Sequence, residues 1–464
     1  MKIIPSRTEY QDRYAPGPML GAVKTAAGIR GSFSFLHGVD GCTFAANQLR
    51  SAGPVVAGNY MPVEADGAQR SEIVLGNNEE MVTKLILREV KKLRTPPGVL
   101  FLFTSCATSI IHEDLQMVAD TVHQETGSTV LPIDTGGYLG GFNWGSEQVW
   151  NAVLRKYAPE KPATQQGINL VGPHLMGSRN WPNDIKEIER LLAAADVPVN
   201  ATVFRSIDTK ALPKIGAAAH NYILSCEDFP DYEKECADRG MPRWGGDLVL
   251  PLGMRNTEEW YLAMARQFGN EAKAKKQLDA DMDLVKAQMR GNYNATWALQ
   301  AMSGKHAGVL GFAPFAAAMA RSLFYDFNMR PNVIGLFAET PGGLRRAEEQ
   351  LKCLDGLCDI EVLENPSYMD WVNKLKEAQV EMSVGMRYDH ALTRGAGIPH
   401  RSLGGWYFYN MFNFVPWPYM GVRGMLYLTG ELWEVTQDVL SADDLWEKRR
   451  FRTRDELEQA VAAS

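Results

Sequence analysis

The sequence GVLFLFTSC, from Gly98 to Cys106, places the strongest constraint on the architecture of this chain. Its apolar run has the length of a buried β-strand, and the residues that follow, 107–118, are predicted to form a helix. A strand that passes into a helix is the unit of a parallel α/β sheet, in which ligands lie beyond the carboxyl ends of the strands. Because Cys106 is at that end, we expect its thiol to face a crevice, beside a helix N-terminus that favours a thiolate.

Short apolar runs alternate with longer amphipathic segments along most of the chain. This alternation predicts an α/β fold, in which parallel sheets carry helices on both faces. The runs form three groups, with boundaries near 162–167 and 303–305. The predicted domains are 1–163, 164–303 and 304–403, followed by a C-terminal aromatic and helical segment, 404–464, that packs on a partner or on the first domain. The predicted strands are 98–104, 129–133, 168–171, 197–201, 222–224, 248–250, 308–312, 333–337, 360–363 and 382–385.

A second cysteine, Cys42, ends the sequence FLHGVDGC at a turn that contains Gly38 and Gly41. The residues alone leave two interpretations of Cys42 and Cys106 open. Both could be buried small hydrophobic side chains, since no compact CxxC signature connects them. Alternatively, both could present thiolates to a metal cluster at their turns. The other cysteines lack ligand-like neighbours and are interpreted as structural; they are Cys226, Cys236, Cys353 and Cys358.

The composition is that of an ordinary globular protein. With 464 residues, 45% of them hydrophobic and 22% charged, the chain is too long for one core and predicts two or three domains. A net charge of −7 and a pI near 5.7 argue against nucleic-acid binding. No apolar run reaches the roughly 18 residues of a membrane span. The first residues lack the apolar centre of a signal peptide, and six cysteines are too few for a disulfide scaffold, so we expect a cytoplasmic protein.

A glycine-rich sequence, GLFAETPGGL at 335–344, follows a predicted strand and opens a helix. Backbone N–H groups at such a turn could bind a phosphate or a cofactor. The sequence lacks both the GxGxxG spacing and the lysine of a P-loop. A plain connection between strand and helix is therefore favoured, and the chain itself is not expected to bind ATP.

Three segments together resemble the amino-terminal domain of nitrogenase-like proteins. They are HGVDGCTFAANQLR from His37, SEIVLGNNEEM from Ser71 and LFTSCATSIIHEDL from Leu102. Two later segments extend the resemblance: DTGGYLGG from Asp134, and PLGMRNTEE from Pro251, which is similar to β-type subunits. The resemblance implies three doubly wound, Rossmann-like parallel-sheet domains of the nitrogenase component 1 type.

The resemblance also implies a function for the two cysteine turns. In that superfamily they hold an iron–sulfur cluster, so Cys42 and Cys106 are expected to be metal ligands, and this chain is expected to have no catalytic residue of its own. The implied partners are a homologous α-type subunit, in an α2β2 heterotetramer, and a separate ATP-dependent iron–sulfur reductase. Electrons would pass from that reductase, through the shared cluster, to a metallocofactor in the α-type subunit. Two cysteines here and three from the partner exceed the ligands of a four-iron cubane, which favours a larger, eight-iron cluster of the P-cluster type.

Two positions depart from nitrogenase itself. Its β-type subunit has a third cluster cysteine, but the corresponding sequence YMPVEADG, 60–67, has none, and Glu64 or Asp66 could offer an oxygen ligand instead. At the position where the nitrogenase loop has serine, this chain has a glycine, near Gly140. These departures argue against dinitrogen reduction, and the number of retained ligands favours a methylthio-alkane reductase that cleaves C–S bonds. The alternatives are a cofactor-assembly scaffold, a subunit of nitrogenase or of a dark-operative tetrapyrrole reductase, and a metal-free α/β protein.

Aromatic residues crowd the sequence WYFYNMFNFVPWPYM at 406–420, where two prolines exclude a regular helix. Such a segment is typical of the centre of an interface and equally of a core, and both interpretations stay open. In α-type subunits of the resembled family this neighbourhood supplies a histidine to the metallocofactor. Here no histidine follows His400, which favours a β-type subunit without a metallocofactor of its own.

Overall fold

The computed structural model describes residues 1–5, 17–39, 41–42, 63–65, 78–162, 164–205, 207–291, 293–405 and 416–442. Strands and helices alternate through these ranges, and neighbouring strands in the sheets run parallel. The predicted α/β fold class is therefore confirmed. The domain boundaries remain a prediction, and we use the term units for the three parts of the chain that carry the three larger sheets.

The first unit contains both cysteine turns. Its elements, with the strand that precedes them, are β1 (Lys2–Ile4), α1 (Pro18–Ala26), β2 (Ile29–Arg30), β3 (Ser32–His37), β4 (Val63–Ala65), α2 (Glu79–Lys91), β5 (Val99–Thr104), α3 (Cys106–Ile110), α4 (Leu115–Thr126), β6 (Thr129–Ile133) and α5 (Phe142–Tyr157). The sheet has the order β4-β3-β5-β6. Strands β3 and β5 are buried along their whole length, because helices cover both faces of the sheet. They pair in register as far as His37 and Thr104, so both strands end side by side.

The helix predicted at 107–118 is wrong in its extent. The structure has a helix of five residues, α3, and a separate helix, α4. His112 between them has a left-handed φ of 51°, which breaks the helical path. Asp114 then caps α4 by accepting the Met117 N–H at 2.9 Å. A five-residue helix has a small dipole, so the expected stabilisation of a thiolate by that dipole loses most of its weight.

The second unit consists of a three-stranded sheet and its helices. Its elements are β7 (Ile168–Val171), α6 (Trp181–Ala194), β8 (Val199–Val203), β9 (Ile207–Asp208), β10 (His220–Ile223), α7 (Pro230–Asp238), α8 (Met254–Gln267), α9 (Glu271–Arg290) and α10 (Tyr293–Met302), with 3-10 turns at Pro173–Leu175 and Thr209–Ala217. The sheet order is β10-β7-β8, and β9 pairs with β2 of the first unit. The predicted strand at 248–250 is absent: Val249 and Leu250 are buried in the core, but their run ends at Pro251 and joins no sheet.

The third unit has the largest sheet. Its elements are β11 (His306–Phe312), α11 (Ala313–Tyr325), β12 (Arg330–Phe337), α12 (Pro341–Leu351), a 3-10 turn at Lys352–Leu354, β13 (Glu361–Glu364), α13 (Tyr368–Glu377), β14 (Met382–Gly385), α14 (Arg387–Gly395) and β15 (His400–Ser402). The sheet order is β1-β13-β12-β11-β14-β15. The first strand of the chain, β1, thus pairs with β13 of this unit, in the register Lys2 with Glu361.

The last described helix, α15 (Gly421–Ala442), packs mainly against α6, α8, α9 and α10, and it also contacts β14 and β15. The described part of the C-terminal segment therefore lies on the second unit and on the β15 edge of the third sheet, whereas 406–415 and 443–464 fall outside the described residues. Hydrophobic clusters also cross the borders between units; one of them includes Phe101, Val171 and Val333. Among the described residues, every helix is too short or too polar to cross a bilayer.

Candidate metal centre

The two cysteine turns lie at the same edge of the first sheet. Because β3 and β5 end side by side, the chain leaves both strands in the same direction. The Ser105 N–H donates to the carbonyl of His37 at 3.0 Å, and the Thr108 hydroxyl donates to the same carbonyl at 2.7 Å. A side chain at Gly38 would bring its Cβ to 2.8 Å from the Cβ of Ser105, so this close approach requires glycine. These contacts within the protein therefore hold the two turns together without a bound ligand.

Cys106 is the first residue of α3 and its side chain is exposed. The N–H of Gly137, in the loop after β6, donates to the Cys106 sulfur at 3.1 Å. A Cβ at position 137 would lie 2.9 Å from that sulfur, which is closer than van der Waals contact allows. Gly137 thus brings a backbone donor to the sulfur, as is common at iron–sulfur sites, where such hydrogen bonds tune the potential.

Cys42 lies beside Cys106 in the structure. Its N–H donates to the carbonyl of Val39 at 2.9 Å, and its side chain is half-buried. Burial raises the pKa of the Cys42 thiol, the neighbouring Cys106 thiol raises that pKa further, and a hydrogen bond from Ser105 lowers it. Two neighbouring thiolates repel each other. A bound metal ion offsets this repulsion because it supplies positive charge.

A buried polar network lies next to the turn that leads to Cys42. His37 is fully buried, and its Nε2 lies 2.5 Å from one carboxylate oxygen of Glu113. The other oxygen of Glu113 accepts the side-chain amide of Asn78 at 2.5 Å and the Asn78 backbone N–H at 3.2 Å. Glu113 and Asn78 are not among the residues that the sequence analysis predicts for this site. The only available signal was their position inside the segments IIHEDL and LGNNEEM.

Three exposed apolar side chains lie on α3 and on the loop after β6, the two elements that position Cys106. Ile110 is 62% exposed, Tyr138 is 57% exposed and Leu139 is 39% exposed. The hydroxyl of Tyr138 lies 2.7 Å from that of Ser109, which fixes the ring beside α3. Residues Ile110, Tyr138 and Leu139 are called the apolar rim below. Exposed large apolar side chains near a thiol are typical of a surface that contacts another molecule.

The chemistry of the donors fits an iron–sulfur cluster. Two soft thiol ligands meet at one place, and one of them receives an N–H hydrogen bond. In the described part of the chain no group of three or more histidine, cysteine or acidic side chains is arranged to hold a metal ion. Of the two residues considered in place of a third cysteine, Glu64 is described only through its backbone in β4, and Asp66 lies outside the described residues.

The four remaining cysteines lie elsewhere. Cys226 and Cys236 are buried in apolar surroundings, and burial raises the pKa of each thiol to about 12. A thiol that resists deprotonation to this extent is a poor metal ligand. Cys353 is exposed and Cys358 half-buried, at the end of α12 and in the loop that follows, in the third unit. None of the four shares the turn of Cys42 and Cys106, as the structural interpretation expects.

The glycine-rich turn at 335–344 is occupied by a side chain of the same protein. Glu227, which follows β10, accepts the N–H of Glu339 at 2.7 Å and that of Thr340 at 2.9 Å. It also accepts the Thr340 hydroxyl at 2.6 Å. A Cβ at Gly343 would lie 2.5 Å from the Glu227 carboxylate. The donors that could have bound a phosphate are thus used by an internal carboxyl group, in agreement with the plain-connection interpretation.

The end of the aromatic segment belongs to the core. Tyr419 and Met420 are fully buried, and both backbone N–H groups donate to the carboxylate of Asp184, at 2.6 and 3.2 Å. Trp417 is half-exposed, and its carbonyl accepts the side-chain amide of Asn180 at 2.7 Å. The other aromatic residues of the segment, at 406–415, lie outside the described residues.

Comparison with known proteins relates this geometry to one family. The family model for nitrogenase component 1 type oxidoreductases matches residues 17–436. The B subunit of light-independent protochlorophyllide reductase from Rhodopseudomonas palustris (strain BisB18) is 23% identical over 410 residues, which cover 83% of this chain and 71% of that protein. The corresponding protein of Jannaschia sp. (strain CCS1) is 23% identical over 395 residues, covering 83% and 70%. A solved structure of nitrogenase Cp1 at pH 6.5 superposes with a TM-score of 0.74 at 17% identity and covers 95% of each chain. The predicted nitrogenase component 1-like fold is therefore confirmed.

Proposed function

The chain belongs to the family of nitrogenase component 1 type oxidoreductases, and from this membership we propose that it is a β-type subunit that relays electrons. Cys42 and Cys106 would hold an iron–sulfur cluster that is shared with a homologous α-type subunit. The observation that carries this proposal is the meeting of the two thiols at adjoining strand ends, although they are far apart in the sequence. The similarity to the B subunit of a reductase supports the β-type assignment.

Several residues around the two cysteine turns would support the binding of the cluster. When bound, an iron–sulfur cluster supplies one-electron transfer without large movement of the protein. Gly137 donates its N–H to the Cys106 sulfur, and Ser105 donates to Cys42, so both sulfurs have a donor that stabilises negative charge. The pair His37 and Glu113 fixes the loop that ends at Cys42.

The apolar rim is proposed as the contact surface of the α-type subunit. It lies on the two elements that position Cys106, so a subunit that covered it would also exclude water from the cluster. That arrangement is compatible with an α2β2 heterotetramer, in which the partner supplies the remaining ligands. A separate ATP-dependent iron–sulfur reductase would deliver the electrons. This last partner comes from the family alone, since no described residue of this chain points to it.

The substrate class is the finer part of the proposal. The relatives named above are protochlorophyllide reductases, which supports reduction of a tetrapyrrole. We place this substrate class ahead of C–S cleavage in methylthio-alkanes. The second candidate keeps one specific observation in its favour, which is that two thiols meet at the site, more than tetrapyrrole-reducing β-type subunits generally retain. Anaerobic turnover of the complete complex with protochlorophyllide, and separately with a methylthio-alkane, distinguishes the two by pigment absorbance and by release of methanethiol.

Iron analysis of the anaerobically purified complex tests the ligand assignment. Cys42→Ala and Cys106→Ala are each expected to lower the iron content and to remove the cluster signal in electron paramagnetic resonance. Cys236→Ala is the matched control, since its thiol is buried in the second unit and should leave the iron unchanged. Full iron loading after Cys106→Ala would exclude that residue from the site. About eight interfacial irons per αβ pair would support the larger cluster, whereas about four, with Cys106 dispensable, would support a cubane.

A further inference from the structure

Glu339, which follows β12 in the third unit, caps a helix of the first unit. Its two carboxylate oxygens accept the N–H of Asn143, in the first turn of α5, at 3.1 and 3.0 Å. The N–H groups of Phe142 and Trp144 also contribute. Gly141, directly before α5, leaves the space for this carboxyl group, because a Cβ there would overlap it. The helix N-terminus is therefore completed by a residue almost two hundred positions away.

Two further carboxyl groups act in the same way on the other units. Glu227 of the second unit accepts the N–H groups of Glu339 and Thr340, the two residues directly before α12 of the third unit. Glu147, on α5 of the first unit, caps α7 of the second unit by accepting the Tyr232 N–H at 2.9 Å. The three contacts form a closed cycle: a carboxyl group of the first unit binds the second, one of the second binds the third, and one of the third binds the first.

We propose that Glu147, Glu227 and Glu339 form a proton-controlled clamp, which holds the three units in one arrangement and loosens as the pH rises. The clamp is independent of the proposed cluster, because it lies at the junction of the units and uses neither cysteine. Each carboxyl group connects a helix of one unit to a strand end or helix of another. Loss of any one contact would weaken one of the three junctions, which the shared hydrophobic cluster also holds.

Burial is the main reason why these groups favour protons. Burial raises the pKa of Glu147 to about 7, and nearby Asp231 and Glu233 act in the same direction against the N–H bonds. Burial, with the charge of Glu227, raises the pKa of Glu339 to about 8. The pKa of Glu227 is also raised by burial, in spite of its hydrogen bonds.

The other charged groups around the junction have partners of their own. Arg346 pairs with Asp228 at 2.6 Å, and Arg243 donates to the carbonyl of Glu227 and pairs with Glu233. Across the cavity between the units, burial and the charge of Lys24 lower the pKa of His174 to about 3, so its ring stays neutral. The thiol of Cys226, beside Glu227, also stays protonated. Burial also lowers the pKa of Lys24 to about 7, so this lysine titrates in the same range as Glu147 and Glu339.

The sign of the pH effect follows from the raised pKa values. The closed arrangement binds protons more tightly than an open one, in which each glutamic acid would return to an ordinary pKa of about 4.3. Its stability is therefore greatest at acid pH and falls as the pH rises through the folded values. For a group with a folded pKa near 7 to 8, opening should increase on the order of tenfold or more between about pH 6 and about pH 8.

Hydrogen exchange on the purified protein, with any partner that it carries, tests the clamp. After correction for intrinsic exchange, protection of the Asn143, Thr340 and Tyr232 amides should fall on the order of tenfold over that range. Protection of the Val82 amide, in the first turn of α2, should not change, because its acceptor is a backbone carbonyl. In Glu339→Gln the pH dependence at Asn143 should disappear, whereas the exposed control Glu80→Gln should retain it. Equal pH dependence in Glu339→Gln and the native chain would overturn the proposal.

Infrared spectroscopy of the native chain makes the test independent of how the variants fold. The carbonyl band of protonated carboxyl groups, to which the buried Asp184 and Asp389 also contribute, should be present at about pH 6 and should be lost by about pH 9. Absence of that band at about pH 6 would show that the three groups are already ionised, which would also overturn the clamp.

Discussion

Two turns of this chain have the same local design and opposite surroundings. The turn from β5 to α3 ends in Cys106, whose thiol is exposed on the same elements as the apolar rim. The turn from β12 to α12, within the glycine-rich segment 335–344, is filled by Glu227 of another unit. Local sequence predicts a metal ligand at Cys106 and favours a plain connection at 335–344. Only the tertiary structure shows that one of them is open to a partner and that the other is closed by the chain itself.

The largest expected difference between the two turns is in their dependence on a partner. Expressed alone, the chain should be inactive and unstable in its open region, because the apolar rim and the thiols of Cys42 and Cys106 lack their covering subunit. Co-expression with a homologous α-type subunit should give an α2β2 assembly, which mass determination during size-exclusion chromatography would detect. A soluble monomer with full activity would contradict this expectation.

Removal of the Glu227 carboxyl group should have the next largest effect, which is on the free energy of unfolding. Glu227→Ala leaves two N–H groups and one hydroxyl without their buried acceptor, at an expected cost of about 3 kcal/mol in the free energy of unfolding. Cys106→Ala, at the open turn, should change that free energy by less than about 0.5 kcal/mol. Urea unfolding followed by circular dichroism measures both. The control is Glu80→Ala, whose exposed carboxylate pairs only with Lys84 and should leave the midpoint unchanged; equal midpoints for Glu227→Ala and Cys106→Ala would remove the contrast between the turns.

A methyl group added at Gly137, next to the open turn, should change the properties of the bound cluster more than the stability of the fold. Gly137→Ala places a Cβ 2.9 Å from the Cys106 sulfur, so the loop must move at a cost of about 1–2 kcal/mol. Movement of the N–H donor should also shift the reduction potential of the cluster, as measured by a redox titration of the complex. Gly395→Ala is the control, since its Cβ would meet nothing within 4 Å. An unshifted potential in Gly137→Ala would argue that this N–H does not reach a cluster ligand.

The smallest effect is expected at a buried cysteine remote from both turns. Cys236→Ala removes a small side chain from the core of the second unit and should cost roughly 1 kcal/mol in the free energy of unfolding. Thermal unfolding measures this loss, and iron analysis of the complex should give the native value. A loss of iron in this variant would indicate that Cys236 is a metal ligand, in contradiction to its buried position in the core.

The sequence was sufficient for the features that depend on neighbouring residues. The alternation of apolar and amphipathic segments predicts the α/β class, and the position of Cys106 after a strand predicts its place at the sheet edge. Partners far apart in the chain were not predictable, because no local pattern connects them. Glu113 and Asn78 below His37, and Glu339 at the start of α5, each act on a residue from another element. The strand expected at 248–250 was wrong for a related reason, since buried apolar runs look alike whether or not they join a sheet.

The pairing of β1 with β13 has a consequence for biosynthesis. Lys2 and Glu361, which form an ion pair at 2.8 Å across this contact, are separated by 359 positions. At about 5–20 residues per second, the ribosome needs roughly 20 to 70 s between the two strands. During that time the nascent β1 has no sheet to join, and only its shortness and its charged Lys2 protect its free backbone groups from other strands. Although β1 is translated long before β13, it can join its sheet only after β13 has left the ribosome.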